Sequence, residues 1–383
     1  MTDTDLPAAY VAAPTREDIP PMTAKHVGPP KAELPHAGPP HVEPERSKTA
    51  APLLRIEDLH IEIPLPAGHL RAVRGVSMTV DAGESVGLVG ESGSGKSLTL
   101  RALLGLLPHP ARIVSGAIVV DGVDVTGLPD KRRREVLTDT FSMVFQDSLT
   151  ALNPVMRIGD QVAEAPRHKL GMSRAAARDR AVELMRQVGI ADPERRYRVY
   201  PHQLSGGLRQ RICIAIALST RPRVLLADEP TTALDVTIQA QVLNLIARLR
   251  AEGDLGLVFV SHDLAVIRSS CTRVYVMYAG RVVESGTVAD VVHNPRHPYT
   301  FALLRAVPDP DEPEGRLLAI PGFAPNLITP PTGCGFAERC AFADAHCEAA
   351  EPALTPAPVP EHLSACLRWD TARQWPTRTG AAQ

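Results

Sequence analysis

The sequence lacks any apolar run long enough to cross a membrane. Its longest uninterrupted apolar stretch is Ile212–Leu218, far below the ~20 residues that a membrane-spanning helix needs. The chain begins with Met1–Asp5, an acidic start without the apolar core of a signal peptide. We therefore expect a soluble, cytosolic protein whose hydrophobic residues, 44% of the 383, form an ordinary globular core.

An excess of charge of either sign is also absent. The chain has 41 Lys and Arg against 43 Asp and Glu, a formal net charge of −2. No global field therefore favours nucleic acid or anionic lipid as a partner. The basic run Lys131–Arg134 is better explained as the solvated face of a helix, and we expect no nucleic-acid contact there.

The first 52 residues differ in composition from the rest. They contain eleven prolines, few large apolar residues and no periodicity. Such a segment cannot bury enough apolar surface to offset the entropy cost of ordering it. The composition predicts a disordered, proline-rich N-terminal tail over 1–52.

A glycine-rich loop lies between an apolar stretch, Ser85–Val89, and a helical pattern, Lys96–Leu107. This strand–loop–helix order is the context that a phosphate-binding P-loop requires. Glycines let successive backbone N–H groups point at phosphate oxygens, and the helix N-terminus adds partial positive charge. We expect Lys96 to contact the β- and γ-phosphates and Ser97 to bind Mg²⁺. The candidate nucleotide-binding residues of the loop are Gly90, Glu91, Ser92, Gly93, Ser94, Gly95, Lys96 and Ser97.

A second apolar stretch, Val224–Ala227, ends in two carboxylates, Asp228 and Glu229. Continuous apolar runs are typical of parallel strands covered on both faces, and ligands gather at the carboxyl ends of such strands. Asp228 is therefore positioned as a Mg²⁺ partner, and Glu229 as the general base that activates a water. The alternative is a solvated acidic turn after a strand, which is less favoured because the chain also contains a P-loop.

A third motif, Leu204 followed by Ser205, Gly206 and Gly207, predicts the start of a helix over Leu208–Thr220. Ser205 is a good N-cap, and glycines without side chains let a phosphate approach the bare N–H groups. An ordinary capped helix is the alternative. The motif has no role in a single NTPase, but it makes sense if it caps the phosphate held by a second copy of the fold.

Together these motifs resemble those of the ATP-binding cassette (ABC) ATPases, over about 53–306. Gln146, after the stretch Phe141–Phe145, matches the glutamine loop, which implies contact with Mg²⁺ and water. Asp235 ends a stretch, Thr232–Asp235, that matches the loop touching the opposite subunit. His262 matches the switch histidine, which implies contact with the γ-phosphate. The resemblance implies ATP and Mg²⁺ as cofactors, with Glu229, His262 and Gln146 as the catalytic set.

A narrower resemblance indicates the ATPases of oligopeptide and dipeptide importers, which include nickel-uptake relatives. The motifs that carry it are Phe145-Gln146-Asp147, Leu152-Asn153-Pro154, Leu208-Arg209-Gln210-Arg211, His297-Pro298-Tyr299-Thr300, Ile320-Pro321-Gly322, Gly333-Cys334-Gly335-Phe336 and Arg339-Cys340. The sequence departs from the family in having Ser148 where proline is usual and Leu208 where many cassettes carry glutamine. It also has no aromatic residue in Leu53–Val89 to stack on adenine. The base contact is therefore left open between an aliphatic side chain and His69.

The six cysteines divide into two groups. Cys213 and Cys271 lie in or beside apolar patterns and are most simply small core residues. The other four have the spacing C-x5-C-x6-C-x18-C in a stretch poor in large apolar residues. In a cytosolic chain disulfides are rare, so these residues favour a metal site, with [4Fe–4S], Zn²⁺ and free thiols left open. The resemblance favours the iron–sulfur cluster, and the candidate ligands are Cys334, Cys340, Cys347 and Cys366.

The predicted architecture is an α/β P-loop ATPase of the ABC type. Its parallel-sheet core carries an antiparallel β subdomain, Leu53–Ser85 with Gly116–Asp121, and a helical subdomain at about 149–221. A small cysteine-bearing domain over 307–383 closes the chain. With one P-loop and one Ser205 helix per chain, two cassettes must face head to tail to complete each site.

The resemblance implies the ATP-hydrolysing subunit of an importer for peptides or a similar solute. Its partners would be a second ABC ATPase, with a heterodimer preferred over a homodimer, two membrane permease subunits and an extracytoplasmic solute-binding protein. The expected location is peripheral, on the cytoplasmic face of the cell membrane. A nickel or metal-chelate importer ATPase and a soluble non-transport ABC ATPase are the alternatives.

Overall fold

The computed structural model describes residues 51–146, 148–231, 236–251, 254–306, 320–357, 359 and 361–370. The tail predicted over 1–52 lies almost wholly outside these ranges. The loop Thr232–Asp235, which contains the candidate Asp235, lies outside them as well. So does 307–319, where the predicted C-terminal domain begins, and the domain boundaries therefore stay predictions.

Strands and helices are mixed along the described chain, with five successive helices between β6 and β7. The strands are β1 (Leu54–Leu65), β2 (Gly68–Val80), β3 (Ser85–Val89), β4 (Arg112–Val120), β5 (Val123–Asp124), β6 (Phe141–Val144), β7 (Val224–Asp228), β8 (Gly256–Ser261), β9 (Arg273–Tyr278), β10 (Arg281–Thr287), β11 (Thr355–Pro356) and β12 (Leu363–Ser364). The helices are α1 (Lys96–Leu103), α2 (Asp130–Thr140), α3 (Ser148–Ala151), α4 (Ile158–His168), α5 (Arg174–Gln187), α6 (Pro193–Arg196), α7 (Gly206–Leu218), α8 (Val236–Ala251), α9 (Leu264–Ser270), α10 (Val288–His293), α11 (Pro298–Arg305) and α12 (Ala345–Ala349), with 3-10 turns at Pro201–Gln203 and Ala337–Arg339.

The smaller sheet is antiparallel, with the strand order β2-β1-β4-β5. Along β1, buried residues such as Leu54 and Ile56 alternate with exposed ones, because successive side chains of a strand point to opposite faces. This sheet is the predicted antiparallel subdomain. Its third strand begins at Arg112, a few residues before the predicted segment Gly116–Asp121.

The larger sheet has the order β11-β12-β10-β9-β3-β8-β7-β6. Strands β6, β7, β8, β3 and β9 run parallel to one another, whereas β10 and the two short strands beyond it are antiparallel. Every residue of β3, β7 and β8 is buried, as expected for parallel strands covered on both faces. The carboxyl ends of β6, β7, β8 and β3 meet at one edge, and that edge positions the candidate site.

The predicted helices are present, some with earlier ends. The helix expected over Lys96–Leu107 ends at Leu103, because Gly105 takes a positive φ of 66° that breaks the helical path. The helix expected over Leu208–Thr220 runs from Gly206 to Leu218. In the described chain, no helix combines the length and the apolar character needed to cross a membrane.

The C-terminal segment, residues 320–370, packs directly on the larger sheet. Strand β12 pairs with β10, with Glu284 opposite Ser364. Phe336 is only 1% exposed, and its ring lies 5.2 Å from that of Tyr278 and 5.5 Å from that of Tyr299, centroid to centroid. The segment therefore shares the hydrophobic core of the ATPase sheet, although its own sequence is poor in large apolar residues.

Candidate nucleotide site

The P-loop follows β3, which lies between β8 and β9 in the larger sheet. Gly90 has a φ of 152°, and a Cβ there would lie 2.1 Å from the carbonyl oxygen of Met277. Gly95 precedes α1 with a φ of 102°, and a Cβ there would lie 2.7 Å from the carbonyl oxygen of Ala72. Only glycine fits these two positions, so the loop can pack closely from behind and present its backbone on the open side.

Lys96, the first residue of α1, bends its side chain back over the loop. Its Nζ donates to the carbonyl oxygens of Gly90 at 2.7 Å and Glu91 at 2.8 Å, and to the hydroxyl of Ser94 at 3.4 Å. Burial lowers the pKa of Lys96, while neighbouring carboxylates, above all Glu229, oppose the shift. The ammonium group thus lies among oxygen acceptors at the helix N-terminus, where phosphate oxygens are stabilised.

Ser97 and Asp228, the two predicted Mg²⁺ ligands, lie side by side although they are far apart in sequence. The Ser97 hydroxyl donates to Asp228 Oδ1 at 2.9 Å. Asp228 is 3% exposed, and burial raises its pKa while the bond from Ser97 lowers it. Mg²⁺ is commonly held by one or two protein oxygens together with substrate phosphates and waters. These two oxygens, beside the P-loop, fit that ion.

Glu229 contacts two further site residues, which follow the ends of the neighbouring strands β6 and β8. Gln146, after β6, donates from Nε2 to Glu229 Oε2 at 3.0 Å. His262, after β8, places Nδ1 3.3 Å from Glu229 Oε1. Glu229 has a φ of 47°, and its N–H donates to the carbonyl of Val260 at 3.1 Å, which ties its strained backbone to β8. The structure thus brings together the three residues predicted to be catalytic.

Ser205 starts α7 as expected from an N-cap, since its Oγ accepts a hydrogen bond from the Leu208 N–H at 3.4 Å. Among the described residues, its hydrogen bonds all lie within its own helix. Gly207 has a second reason to be glycine, because a Cβ there would lie 2.7 Å from Ile238 Cγ2 on α8. Ser205 is exposed, so α7 begins at the surface of the described chain.

Sequence reasoning missed two residues that contact the P-loop. The Tyr299 hydroxyl accepts from the Glu91 N–H at 2.8 Å, and the Arg339 guanidinium donates to both Glu91 carboxylate oxygens, at 2.8 and 3.0 Å. Both residues lie in motifs that the sequence marked without a role, His297–Thr300 and Arg339-Cys340. Glu91 therefore uses its polar groups on the protein itself, which makes it a support of the loop rather than a phosphate contact.

The four C-terminal cysteines line one small cavity in the described chain, together with Phe336 and His297. The Arg368 N–H donates to the sulfur of Cys366 at 3.3 Å. Burial raises the pKa of Cys334 and Cys340, and backbone hydrogen bonds from Phe336 and Phe342 oppose these shifts. Such donors stabilise thiolate ligands, although no three Cys, His, Asp or Glu side chains of the described residues are arranged to hold a metal ion.

Two family models match the chain. The model described as ABC transporter matches residues 73–232, which include the P-loop, Gln146, Ser205 and the Asp228-Glu229 pair. The model described as oligopeptide/dipeptide transporter, C-terminal region, matches residues 283–347, which include Tyr299 and Arg339. The second match begins within β10, so it covers part of the larger sheet as well as the first three C-terminal cysteines.

Relatives and solved structures agree with these matches. The dipeptide transport ATP-binding protein DppD of Escherichia coli is 44% identical over 79% of this chain and 92% of its own length. The protein of the same name from Lactococcus lactis is 47% identical over 76% of this chain and 84% of its own length.

Among solved structures, a dimeric ATP-binding cassette in a post-hydrolysis state, bound to ADP and phosphate, matches 61% of this chain and 98% of its own. Its sequence identity is 27% and its TM-score is 0.55. The protein cbiO1 of Clostridium perfringens, part of an ABC transporter complex, matches 63% of this chain and 91% of its own. Its sequence identity is 26% and its TM-score is 0.54. The chain therefore belongs to the ABC transporter family of ATPases, within its oligopeptide/dipeptide ATP-binding proteins.

Proposed function

We propose that this ATPase powers the uptake of peptides through separate membrane subunits. The observation that carries the proposal is the contact between an intact nucleotide site and the oligopeptide/dipeptide-type C-terminal region, made by Arg339 and Glu91. The names of the two bacterial relatives, both dipeptide transport ATP-binding proteins, support peptides as the solute class. No feature of the described residues favours a nickel importer or a soluble ABC protein.

In the proposed reaction, Lys96 and the P-loop N–H groups hold the β- and γ-phosphates of ATP. Glu229 lies where it can accept a proton from the water that attacks the γ-phosphorus, because Gln146 and His262 approach its two carboxylate oxygens. Ser97, Asp228 and Gln146 would hold Mg²⁺, which would supply positive charge to neutralise the phosphates. The described groups thus supply base, cation and metal ligands at one sheet edge.

The remaining contact would come from a second cassette. Ser205, Gly206 and Gly207 offer backbone N–H groups at the start of α7, where Ser205 is exposed, and a related cassette is known as a dimer with ADP and phosphate. We infer a head-to-tail dimer in which Ser205 caps the phosphate bound by the other subunit, with Asp235 at the contact. A heterodimer with a second, similar ATPase is preferred, and a homodimer is the alternative.

The proposed assembly contains two permease subunits and an extracytoplasmic solute-binding protein, with the ATPases peripheral on the cytoplasmic face. Binding of ATP would close the ATPase pair, and hydrolysis would release it. Gln146 donates a hydrogen bond to Glu229 and lies two residues before α3, the first helix of the helical region. It therefore lies where the nucleotide site can be coupled to the movement of that region.

An uptake assay tests the function. Cells whose own copy of the gene is replaced by the Lys96→Ala variant are expected to lose uptake of labelled dipeptides, because the P-loop loses its phosphate-binding cation. Lys131→Ala, which removes a lysine from the exposed face of α2, is the matched control and should transport normally. Loss of nickel uptake with normal peptide uptake would favour the metal importer. Normal uptake of both would favour a non-transport ABC ATPase.

We further propose three regions in the chain, a tail over 1–52, an ATPase domain over 53–306 and a cysteine-bearing region over 307–383. In the last region, Cys334, Cys340, Cys347 and Cys366 would hold a [4Fe–4S] cluster. Their shared cavity and the Arg368 N–H that donates to the Cys366 sulfur support this site. Zn²⁺ held by the same four thiolates is the alternative.

The cysteine site makes a direct analytical prediction. Protein purified without oxygen is expected to be brown and to contain iron and acid-labile sulfide, since four thiolates are the usual ligands of such a cluster. Cys340→Ser should lose the colour and the iron. Cys271→Ala, at a partly buried cysteine outside this region, should keep both. Zinc without iron in the wild type would contradict the cluster, and the absence of any bound metal would contradict the site.

A further inference from the structure

One side chain from the cysteine-bearing region reaches the P-loop. Arg339, in the 3-10 turn Ala337–Arg339, forms a two-pronged ion pair with Glu91, with N···O distances of 2.8 and 3.0 Å. Its side chain is only 5% exposed. A buried guanidinium paired in this way is held in one orientation, because two parallel bonds to a carboxylate define both distance and plane.

The rest of the guanidinium is equally constrained. Nε donates to the carbonyl of Pro321 at 2.7 Å, Nη1 also donates to the Tyr278 hydroxyl at 3.1 Å, and Nη2 also donates to the carbonyl of Ile320 at 3.4 Å. All five N–H groups therefore have acceptors. The Arg339 cation also lies 5.6 Å from the centroid of the Tyr278 ring. Lysine, with a single ammonium group, cannot reproduce this arrangement.

Because Arg339 holds the Glu91 side chain, it also restricts the Glu91 backbone, which contacts the nucleotide site. Its carbonyl oxygen accepts from Lys96 Nζ at 2.8 Å and from the Ser94 N–H at 3.2 Å, and its N–H donates to the Tyr299 hydroxyl at 2.8 Å. The orientation of the Glu91 peptide therefore sets where the Lys96 ammonium lies and how the loop turns. Arg339 has no contact of its own with Lys96 among the described residues, so it can act on the ammonium only through Glu91.

Contacts other than the Arg339–Glu91 ion pair also hold the C-terminal segment against the ATPase. Glu351, from the same segment, accepts from Arg74 at 2.7 Å and from Arg281 at 2.8 Å, and Phe336 is buried in the shared core. The Glu351 contacts join the segment to the ATPase without touching the P-loop. Variants of Glu351 therefore test the anchoring of the C-terminal segment alone, whereas variants of the Arg339–Glu91 pair also test the shape of the P-loop.

We propose that Arg339 is a positioning residue for ATP binding, which holds Glu91 and thereby keeps the P-loop in its phosphate-binding shape. ATP affinity then depends on the conformation of the cysteine-bearing region. The link to the cysteines is short, because the Ala337 N–H donates to the carbonyl of Cys334 at 3.0 Å, and the Cys340 N–H donates to that of Ala337 at 3.1 Å. A change at Cys334 or Cys340 therefore moves the turn that carries Arg339.

The test compares Arg339→Met with Glu91→Gln in the full chain. Each variant removes the ion pair from one side, so each should raise the KM and the Kd for Mg-ATP by about tenfold, equivalent to ~1.4 kcal/mol. The kcat should stay within about twofold, because ground-state and transition-state binding are lost together. The double variant should be no weaker than either single one, since both remove the same contact. Arg339→Lys should recover only part of the affinity.

Glu351→Gln is the matched control, because it weakens a comparable ion pair of the same segment away from the loop. It should lower the thermal stability by an amount similar to that of Arg339→Met and leave the Kd for Mg-ATP within about twofold. If Arg339→Met does not fold, Glu91→Gln carries the test. An unchanged Kd in Glu91→Gln, or an equal loss of affinity in Glu351→Gln, would overturn the positioning role of Arg339.

Discussion

Replacement of Glu229 by glutamine is expected to leave ATP binding intact and to slow hydrolysis by about 10²–10⁴-fold, the usual effect of losing a general base. The change keeps the size of the side chain, and the amide oxygen can still accept from Gln146 Nε2, which lies 3.0 Å from the present carboxylate. The neutral amide cannot accept the proton of the attacking water. ATP should therefore bind and then remain uncleaved.

The measurement is nucleotide binding and phosphate release on the same preparation. Lys96→Ala is the contrasting variant, because it removes the cation that bonds to the Gly90 and Glu91 carbonyls and should weaken binding itself. The two variants thus separate binding from chemistry. Hydrolysis near the wild-type rate in Glu229→Gln would remove this residue from the catalytic role and leave the base unassigned.

Replacement of Ser205 by arginine should abolish ATP-driven pairing and reduce turnover by about 10²–10³-fold, a loss comparable to removing a donor that stabilises a developing charge. Binding of ATP to the isolated chain should be unchanged, because Ser205 has no hydrogen bond to the P-loop among the described residues. The bulky cation would occupy the space at the start of α7 that the partner's phosphate needs.

Ser173→Arg is the matched control for this experiment. Ser173 is an exposed N-cap like Ser205, and its side chain accepts from the Ala176 N–H at 3.2 Å at the start of α5. Both substitutions remove a cap worth about 1 kcal/mol of helix stability, but only Ser205→Arg should affect pairing. Association with the companion ATPase is measured with and without ATP. Normal pairing and turnover in Ser205→Arg would refute the composite site, and a fully active dimer of this chain alone would refute the preference for a heterodimer.

Much of the nucleotide site could be read from the sequence because its parts are local. A strand, a glycine loop and a helix in direct succession define a P-loop, and Gly90 and Gly95 occupy positions that only glycine fits. The carboxylates Asp228 and Glu229 follow a continuous apolar stretch, and such a stretch becomes a buried parallel strand. The resemblance to ABC ATPases predicted the antiparallel subdomain. Local patterns predicted the helix after the P-loop but not its end, because Gly105 takes a positive φ just beyond the last helical turn.

The sequence by itself determined the family, the type of fold and the residues of the candidate nucleotide site. Only the tertiary structure decided how the C-terminal region relates to that site. Arg339 and Glu91 are separated by 248 positions along the chain, and neither hydrophobic period nor local motif encodes such a pairing. It arises because β10 and β12 join the ATPase sheet and Phe336 is buried against Tyr278 and Tyr299, which brings a buried cation to the one carboxylate of the P-loop. A buried charge needs a partner. Which partner it meets depends on how distant segments pack together, and the local sequence does not specify that.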